Sequence, residues 1–134
     1  MRTKGQERAA FAYDKAKQAL ESLGSGSAKE FASFIAGLPA MILQNGLGHT
    51  LCFLLAKDQS KQNTKYWFAF KAITGWLEKD RLISSNSTSP TKAIKELTEK
   101  EALEYMVIQE EALRFLEWFK VMSKMFVEEK GAKT

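Results

Sequence analysis

The stretch that decides the fold reads FIAGLPAMILQNGLGHTLCFLLA and runs from Phe34 to Ala56. It is the most hydrophobic part of the chain, but polar residues interrupt it, and a membrane-spanning helix needs roughly 20 apolar residues in a row. Pro39 suits the first turn of a helix, and Gly46 suits the position after a helix end. We therefore predict two short buried helices, 38–45 and 47–57, which fold against each other and are covered by everything else.

Outside this hairpin, apolar residues recur every three or four positions, as in helices with one buried face. The stripe of the first helix includes Tyr13 and several alanines, and that of the last includes Tyr105 and Phe126. The predicted fold class is all-α, a single helical domain over residues 1–134 with about six or seven helices and a long C-terminal helix. The other helices are expected at 3–23, 28–36, 64–80, from Pro90, and at 99–129.

Local signals mark two of these helix starts. Ser27 and Glu30 have the spacing of a capping box, and Thr98 precedes acidic residues that suit the positive end of a helix. Ser89, before Pro90, is a third candidate cap. Polar runs at 57–65 and 84–89 indicate surface loops.

The composition indicates the redox environment and the cellular compartment in which the protein is expected. The chain has 134 residues, a net charge of +4 and a single cysteine, Cys52. An intramolecular disulfide is therefore impossible, and a thiol inside the apolar hairpin is expected to behave as a small buried hydrophobe. The N-terminus shows no apolar export signal. We expect a cytoplasmic protein with no membrane contact.

The sequence shows no pattern typical of catalysis, a metal site or a cofactor. His49 is the only histidine, and one His with one Cys cannot make a structural zinc site. A Cys52–His49 nucleophile pair is conceivable, but apolar surroundings would raise the thiol pKa. Paired carboxylates are also conceivable, but a solvated helix surface is the simpler interpretation of the acidic residues, which are Glu96, Glu99, Glu101, Glu104, Glu110 and Glu111. We predict no catalytic residues, no metal and no cofactor.

One face of the first helix is basic. Lys4, Arg8 and Lys15 surround Phe11 at helical spacing, and such a mixture of cations and an aromatic ring can follow a phosphate backbone and stack on bases. An ordinary solvated face, or a Phe11 packed at a subunit contact, remains an alternative. The candidate RNA-binding residues are Arg2, Lys4, Arg8, Phe11, Lys15, Lys17, Lys57, Lys61 and Lys65.

The last helix carries apolar residues beyond its main stripe. Trp118, Val121 and Met125 lie towards its polar side. Apolar residues in such positions form either the edge of a wide core contact or a surface for another chain. We favour the contact with a partner.

Four segments together resemble a known family, the small helical subunit of the Cmr, or type III-B, CRISPR effector complex. These are RTKGQERAAFAYDKA (2–16), LPAMILQNGLGHTLCFLLAK (38–57), TGWLEKD (74–80) and EYMVIQEEALRFLEWFK (104–120). They occur in the family's order and cover nearly the whole chain.

The resemblance implies a non-catalytic part of a ribonucleoprotein. Copies of such a subunit stack head to tail as a minor filament beside the backbone that carries the crRNA, and they line the groove in which target RNA pairs with it. The implied partners are the large signature subunit, the backbone subunits, further copies of the chain, crRNA and target RNA. Two other classes remain open: a helical adaptor that binds only protein, and an enzyme that uses Cys52 and His49.

Overall fold

The computed structural model describes residues 1–84 and 89–133, with side chains as far as residue 129. The prediction of an all-α fold is confirmed. The described chain forms α1 (Lys4–Leu23), a 3₁₀ turn (Ser25–Ser27), α2 (Ala28–Ala36), α3 (Leu38–Asn45), α4 (Leu47–Asp58), α5 (Lys65–Lys79), α6 (Pro90–Thr98) and α7 (Ala102–Lys133).

The long helix α7 is the centre of the bundle, and α1, α2, α3 and α5 all pack against it. Its buried side chains recur at helical spacing, as predicted, and include Ile108, Phe115 and Phe119. Trp76 of α5 stacks on Phe115 with ring centroids 5.9 Å apart, and Phe115 stacks on Phe119 at 5.5 Å. This aromatic column joins α5 to α7 in the core.

The hairpin of α3 and α4 forms as predicted, but only its inner side is covered. The expectation that all other helices cover this hairpin is wrong, because α1 and α2 pack mainly on α7. Ile42, Leu47 and Leu51 are fully buried, whereas Leu43 is 70% exposed. Cys52 is also exposed. The expectation of a buried thiol is therefore wrong, because apolar neighbours in the sequence surround Cys52 without lying on the same face of α4.

Side chains of α7 satisfy the first backbone groups of α4. Gly46, the residue before α4, has a φ of +91° and provides no side-chain cap. The Leu47 N–H instead donates to Oε1 of Gln109 at 2.8 Å, and the Gly48 N–H donates to the hydroxyl of Tyr105 at 2.8 Å. Free N–H groups at a helix start need such partners. The Asn-Gly-Leu-Gly turn therefore depends on α7 for its hydrogen bonds.

The structure confirms the position of some predicted helix starts but not the predicted capping hydrogen bonds. Thr3 forms a full capping box with Gln6 at the start of α1. Ser27 precedes α2 as expected, but its side chain makes no capping hydrogen bond, and the Glu30 carboxylate pairs with Lys65 at 2.7 Å. The predicted capping box at Ser27 is therefore wrong.

The start of α7 also differs from the prediction. The Thr98 hydroxyl donates to the Lys95 carbonyl at 2.6 Å, so it belongs to the last turn of α6 and does not cap α7. The long helix begins at Ala102 and not at residue 99. Ser89 precedes α6, but it makes no capping hydrogen bond either. Residues 85–88 of the predicted loop lie outside the described part of the chain.

One aromatic residue of α1 is more exposed than predicted. Tyr13, predicted on the inward stripe of α1, is 40% exposed and covers Phe126 with its ring, at 5.1 Å between centroids. It therefore lies at the edge of the buried face of α1, where its ring still contacts α7. None of the described helices is long and apolar enough to span a membrane.

Candidate nucleic-acid interface

The N-terminal half of α1 directs its cations towards two carboxylates. The Lys4 ammonium lies 2.8 Å from Asp80 and 3.5 Å from Glu111. The Arg8 guanidinium donates two hydrogen bonds to Glu111, one of them from Nη2 at 2.8 Å. Because paired guanidinium–carboxylate bonds fix the geometry of both groups, Arg8 is held inside the protein by this contact. Both cations are less available to a phosphate than the sequence pattern indicates.

Glu111 is the centre of this cluster, and its side chain is only 7% exposed. It accepts a further hydrogen bond from the indole Nε1 of Trp76 at 2.9 Å. Burial acts to raise the pKa of Glu111, but the hydrogen bonds from Arg8 and Trp76 and the nearby positive charges outweigh it, so the pKa is lowered. The interpretation of Glu111 as part of a solvated acidic surface is wrong.

Phe11 is partly buried and packs against the core, so it is not a freely exposed ring. Its centroid lies 5.8 Å from that of Trp76 and 5.9 Å from that of Phe115. A Cβ on Gly75 would lie 3.1 Å from the Phe11 ring, so any larger residue would require the ring to shift by a few tenths of an ångström. The ring is therefore partly covered by these neighbours.

Lys15 differs from the other two cations of the α1 face, because it forms no ion pair with any described side chain. Its Nζ lies 5.2 Å from the centroid of the Phe11 ring. Burial and the positive charge of Lys71 on α5 both lower the pKa of Lys15. Lys71 in turn lies 5.6 Å above the Trp67 ring. The structure thus brings together two ammonium groups, each over an aromatic ring, on adjacent helices.

Lys71 is the residue that the sequence analysis missed. It is four positions after Trp67, and this i, i+4 spacing of a cation and an aromatic ring was the available signal. The proximity of Lys71 to Lys15 could not be predicted from the sequence, because this proximity depends on the packing of α5 against α1. The carboxylates of Asp14 and Glu78 act on Lys15 in the opposite direction but do not reverse the lowered pKa.

Arg2 precedes α1 and Lys17 lies on it, and both are exposed. Neither forms an ion pair within the described residues. Unlike Lys4 and Arg8, they do not contact Asp80 or Glu111, and their charged groups are directed to solvent.

The loop between α4 and α5 carries a second group of cations. Lys57 and Lys61 are exposed, and the Lys57 Nζ lies 5.8 Å from the Phe53 ring. Lys65, in contrast, is paired with Glu30 and covers the Phe34 ring at 5.1 Å. Of the three predicted loop cations, two remain free of ion pairs with described residues.

A buried carboxylate holds this loop in one shape. Asp58 is 1% exposed. It accepts hydrogen bonds from the Gln62 N–H at 2.9 Å and from the Thr64 hydroxyl at 2.6 Å. Gln59, Ser60 and Gln62 all have φ near +60°, a region that costs a non-glycine residue roughly 1–2 kcal/mol. Asp58 therefore stabilises a backbone conformation that these residues would otherwise avoid.

The predicted partner surface is exposed. Trp118, Val121 and Met125 are 39%, 47% and 44% exposed and lie on the side of α7 away from the core. Large apolar side chains in a row on one exposed face are typical of a contact surface. The role of these residues stays a prediction.

The described part of the chain contains no grouping of side chains suited to a metal ion. No three of its His, Cys, Asp and Glu residues are grouped so that they could hold a metal ion. His49 and Cys52 are three residues apart on α4, and both are exposed.

A family model for CRISPR-associated protein (Cas_Cmr5) matches residues 4–126. The chain belongs to this family. The match extends from the first residue of α1 almost to the end of α7, so it includes the whole helical bundle. Membership in the Cas_Cmr5 family makes the chain a subunit of the CRISPR Cmr complex, and it confirms the resemblance noted in the sequence.

Within this Cas_Cmr5 family member, the structure divides the predicted RNA-binding set. Lys4, Arg8 and Lys65 are engaged in ion pairs, and Phe11 is engaged in the core. The other members of the set have no ion pair with a described residue, and they are Arg2, Lys15, Lys17, Lys57 and Lys61. Within this second group, Lys15 differs from the others because its ammonium group lies over an aromatic ring and near that of Lys71.

Proposed function

We propose that the chain is a non-catalytic structural subunit of the cytoplasmic Cmr ribonucleoprotein. It stacks with further copies of itself as a minor filament, contacts the backbone and large subunits, and helps to hold the duplex of crRNA and target RNA. Membership in the Cas_Cmr5 family supports the assignment of the chain to the Cmr complex. The exposure of both His49 and Cys52 to solvent supports the non-catalytic role.

The observation that carries the RNA contact is the pairing of Lys15 with Lys71. Neither ammonium group forms an ion pair with a described residue. Burial lowers the pKa of Lys15 most, Asp14 and Glu78 oppose this change, and the positive charge of Lys71 lowers the pKa further because the two ammonium groups repel each other. A phosphate placed between them would relieve this repulsion. Lysine contacts to phosphates hold a nucleic acid without reading its sequence, and in RNA-guided complexes the pairing with the guide supplies the specificity.

Repetition makes such a modest contact sufficient. Each copy of the subunit would contribute one Lys15–Lys71 pair, and linked weak contacts along a single RNA combine into a strong one. Stacking of this kind requires two different complementary surfaces on each copy. The face that carries Trp118, Val121 and Met125 is our candidate for one of them, and α1 is our candidate for the other.

The test compares two double variants in a reconstituted Cmr complex loaded with crRNA. One is Lys15→Gln with Lys71→Gln, and the matched control is Lys92→Gln with Lys95→Gln on the exposed face of α6. Target-RNA binding is measured over a series of salt concentrations, and circular dichroism verifies that both variants fold. Because each phosphate contact contributes roughly 0.7 to 0.9 to the slope of log K against log [salt], the first variant should flatten that slope and the control should not.

An unchanged slope for the Lys15/Lys71 variant, at normal incorporation into the complex, would refute the phosphate contact. If the subunit could also be omitted without any change in target-RNA binding, the protein-only adaptor would be the better description.

A further inference from the structure

The side chain of Lys15 lies against α5 at a position where that helix carries no side chain. A Cβ on Gly75 would lie 3.9 Å from Cε of Lys15. Lys71 is four residues before Gly75, a spacing that places both residues on one face of α5. The packing of α1 on α5 therefore brings the Lys15 amine close to the Lys71 amine, and the two positive charges act on each other.

An aromatic ring positions each of these two amines. The Lys15 Nζ lies 5.2 Å from the centroid of the Phe11 ring, and the Lys71 Nζ lies 5.6 Å from that of the Trp67 ring. A cation over the face of a ring is attracted to it without an ion pair. Neither amine forms an ion pair with a described carboxylate, so both are positioned and still open to an anion from solution.

A second lysine of α1 has the opposite surroundings. Lys4 lies 2.8 Å from Asp80, and its hydrogen bond to this carboxylate raises the pKa of Lys4. The pKa of Lys15 is lowered, first by burial and then by the charge of Lys71, against the opposing charges of two nearby carboxylates. A lysine is a nucleophile only as the neutral amine, and desolvation and a neighbouring cation both favour that form. We therefore expect Lys15 and Lys4 to differ in reactivity.

We propose that Lys15 is a site of acylation by acyl phosphates, and that Lys71 binds the phosphate of the reagent. An acyl phosphate combines an anion, which the Lys71 ammonium can bind, with a carbonyl carbon, which the Lys15 amine can attack. Lys15 is the group that reacts, and Lys71 is a positioning residue. An uncharged acyl donor offers the carbonyl carbon but no group for Lys71.

The reaction transfers the acyl group to Lys15 without any further reactant. The lone pair of the neutral amine attacks the carbonyl carbon, and a nitrogen–carbon bond forms. The bond between the carbonyl carbon and the phosphate oxygen breaks, and the phosphate leaves with the electron pair. The nitrogen gives up one proton, which ends on the released phosphate. The products are an amide at Lys15 and inorganic phosphate.

Acylation removes the positive charge of Lys15. A neutral amide no longer attracts a phosphate, and it loses the cation–π contact with Phe11. The modification should therefore weaken the RNA contact, and this consequence alone rests on the proposed function. The reaction is measured on the free subunit, so its failure would leave the RNA contact untouched, and failure of the RNA contact would leave the reaction untouched.

The test treats the full chain with acetyl phosphate at a mildly alkaline pH and follows the initial rate of acetylation at each lysine by peptide mass spectrometry. Lys17 is the internal control, because it is exposed on the same helix. The neutral fraction of an amine rises about tenfold for each unit by which its pKa falls. We expect Lys15 to react roughly 3 to 10 times faster than Lys17, although Lys15 is less exposed. Lys4 should be the slowest of the three.

Substitutions at Lys71 test its part in the reaction. Lys71→Gln removes both the neighbouring charge and the phosphate-binding group, so the rate at Lys15 should fall roughly threefold or more. Lys71→Arg keeps a cation at this position and should restore most of the wild-type rate. The matched control is Lys92→Gln, which removes an exposed charge on α6 and should leave the rate at Lys15 unchanged. Circular dichroism verifies that the variants fold.

A second acetyl donor tests whether the phosphate is recognised. With p-nitrophenyl acetate, which is uncharged, the preference for Lys15 over Lys17 should be smaller than with acetyl phosphate. Three results would overturn the proposal. One is a rate at Lys15 no higher than that at Lys17 with acetyl phosphate. The second is an unchanged rate at Lys15 in Lys71→Gln, and the third is an equal preference for Lys15 with both donors.

Discussion

Replacement of Glu111 by glutamine tests whether the ion cluster between α1, α5 and α7 stabilises the bundle. Glutamine keeps the shape of the side chain but offers one acceptor oxygen and an NH₂ donor. The carboxylate now accepts from two nitrogens of Arg8 and from Nε1 of Trp76. At least one of these donors would face the new NH₂ group and remain unpaired.

The expected cost follows from two effects. A buried donor without a partner costs about 1–3 kcal/mol. Removal of one charge from a buried pair costs about 3–5 kcal/mol, but the Arg8 side chain is 14% exposed, and the charge of Asp80 also acts on it. Both features reduce the second effect. We expect Glu111→Gln to lower the free energy of unfolding by about 2–4 kcal/mol.

The assay is urea denaturation followed by circular dichroism at pH 7. Glu99→Gln is the control, because its ion pair with Lys95 is exposed, at 63% and 75% for the two side chains. Such surface pairs contribute about 0–1 kcal/mol. Equal effects of the two substitutions would refute the argument that burial makes Glu111 different.

The same comparison has a definite pH dependence. The pKa of Glu111 in the folded protein lies below its ordinary value of 4.5. A lowered folded-state pKa contributes stability that is present above the ordinary value and is lost as the pH falls towards the folded-state value. The difference in unfolding free energy between the wild type and Glu111→Gln should therefore be largest near neutral pH and should shrink below pH 4.5.

Two further substitutions test the hydrogen bonds that hold irregular segments. Tyr105→Phe leaves the Gly48 N–H without its partner and should lower the free energy of unfolding by about 1 kcal/mol, measured by urea denaturation; no change would show that water replaces the hydroxyl at no cost. Asp58→Ala removes the acceptor for Thr64 and should make tryptic cleavage at loop 59–64 much faster in the native protein. A cleavage rate equal to that of the wild type would show that the left-handed backbone of the loop needs no support from Asp58.

The helices could be predicted from the sequence because each has a regular apolar period. The bounds of α2 and α3 agree with the prediction, and those of α4 and α5 differ by one residue at their ends. The start of α7 could not be predicted. Thr98 next to acidic residues has the composition of a cap, and only the structure shows that its hydroxyl bonds back to Lys95.

The candidate site was less predictable, because it depends on which elements lie side by side. A single buried stripe on α1 predicts that the face with Arg8 and Phe11 is directed to solvent. In the fold, α1 contacts both α5 and α7, so its buried arc is wider than one stripe. Partners such as Glu111, which is 103 residues from Arg8 in the sequence, cannot be identified from spacing.

The hydrogen bonds from α4 to Tyr105 and Gln109 also bear on how the chain folds as it is made. They connect residues 57 and 62 positions apart in the sequence, and the acceptors lie on the last helix. A growing chain that has produced only α1 to α4 has neither these acceptors nor the surface on which α1 and α2 pack. The apolar faces of α1 and α2 that pack on α7 therefore stay exposed to solvent until α7 has been synthesised. Closure of the bundle therefore requires α7, which follows the other described helices in the sequence.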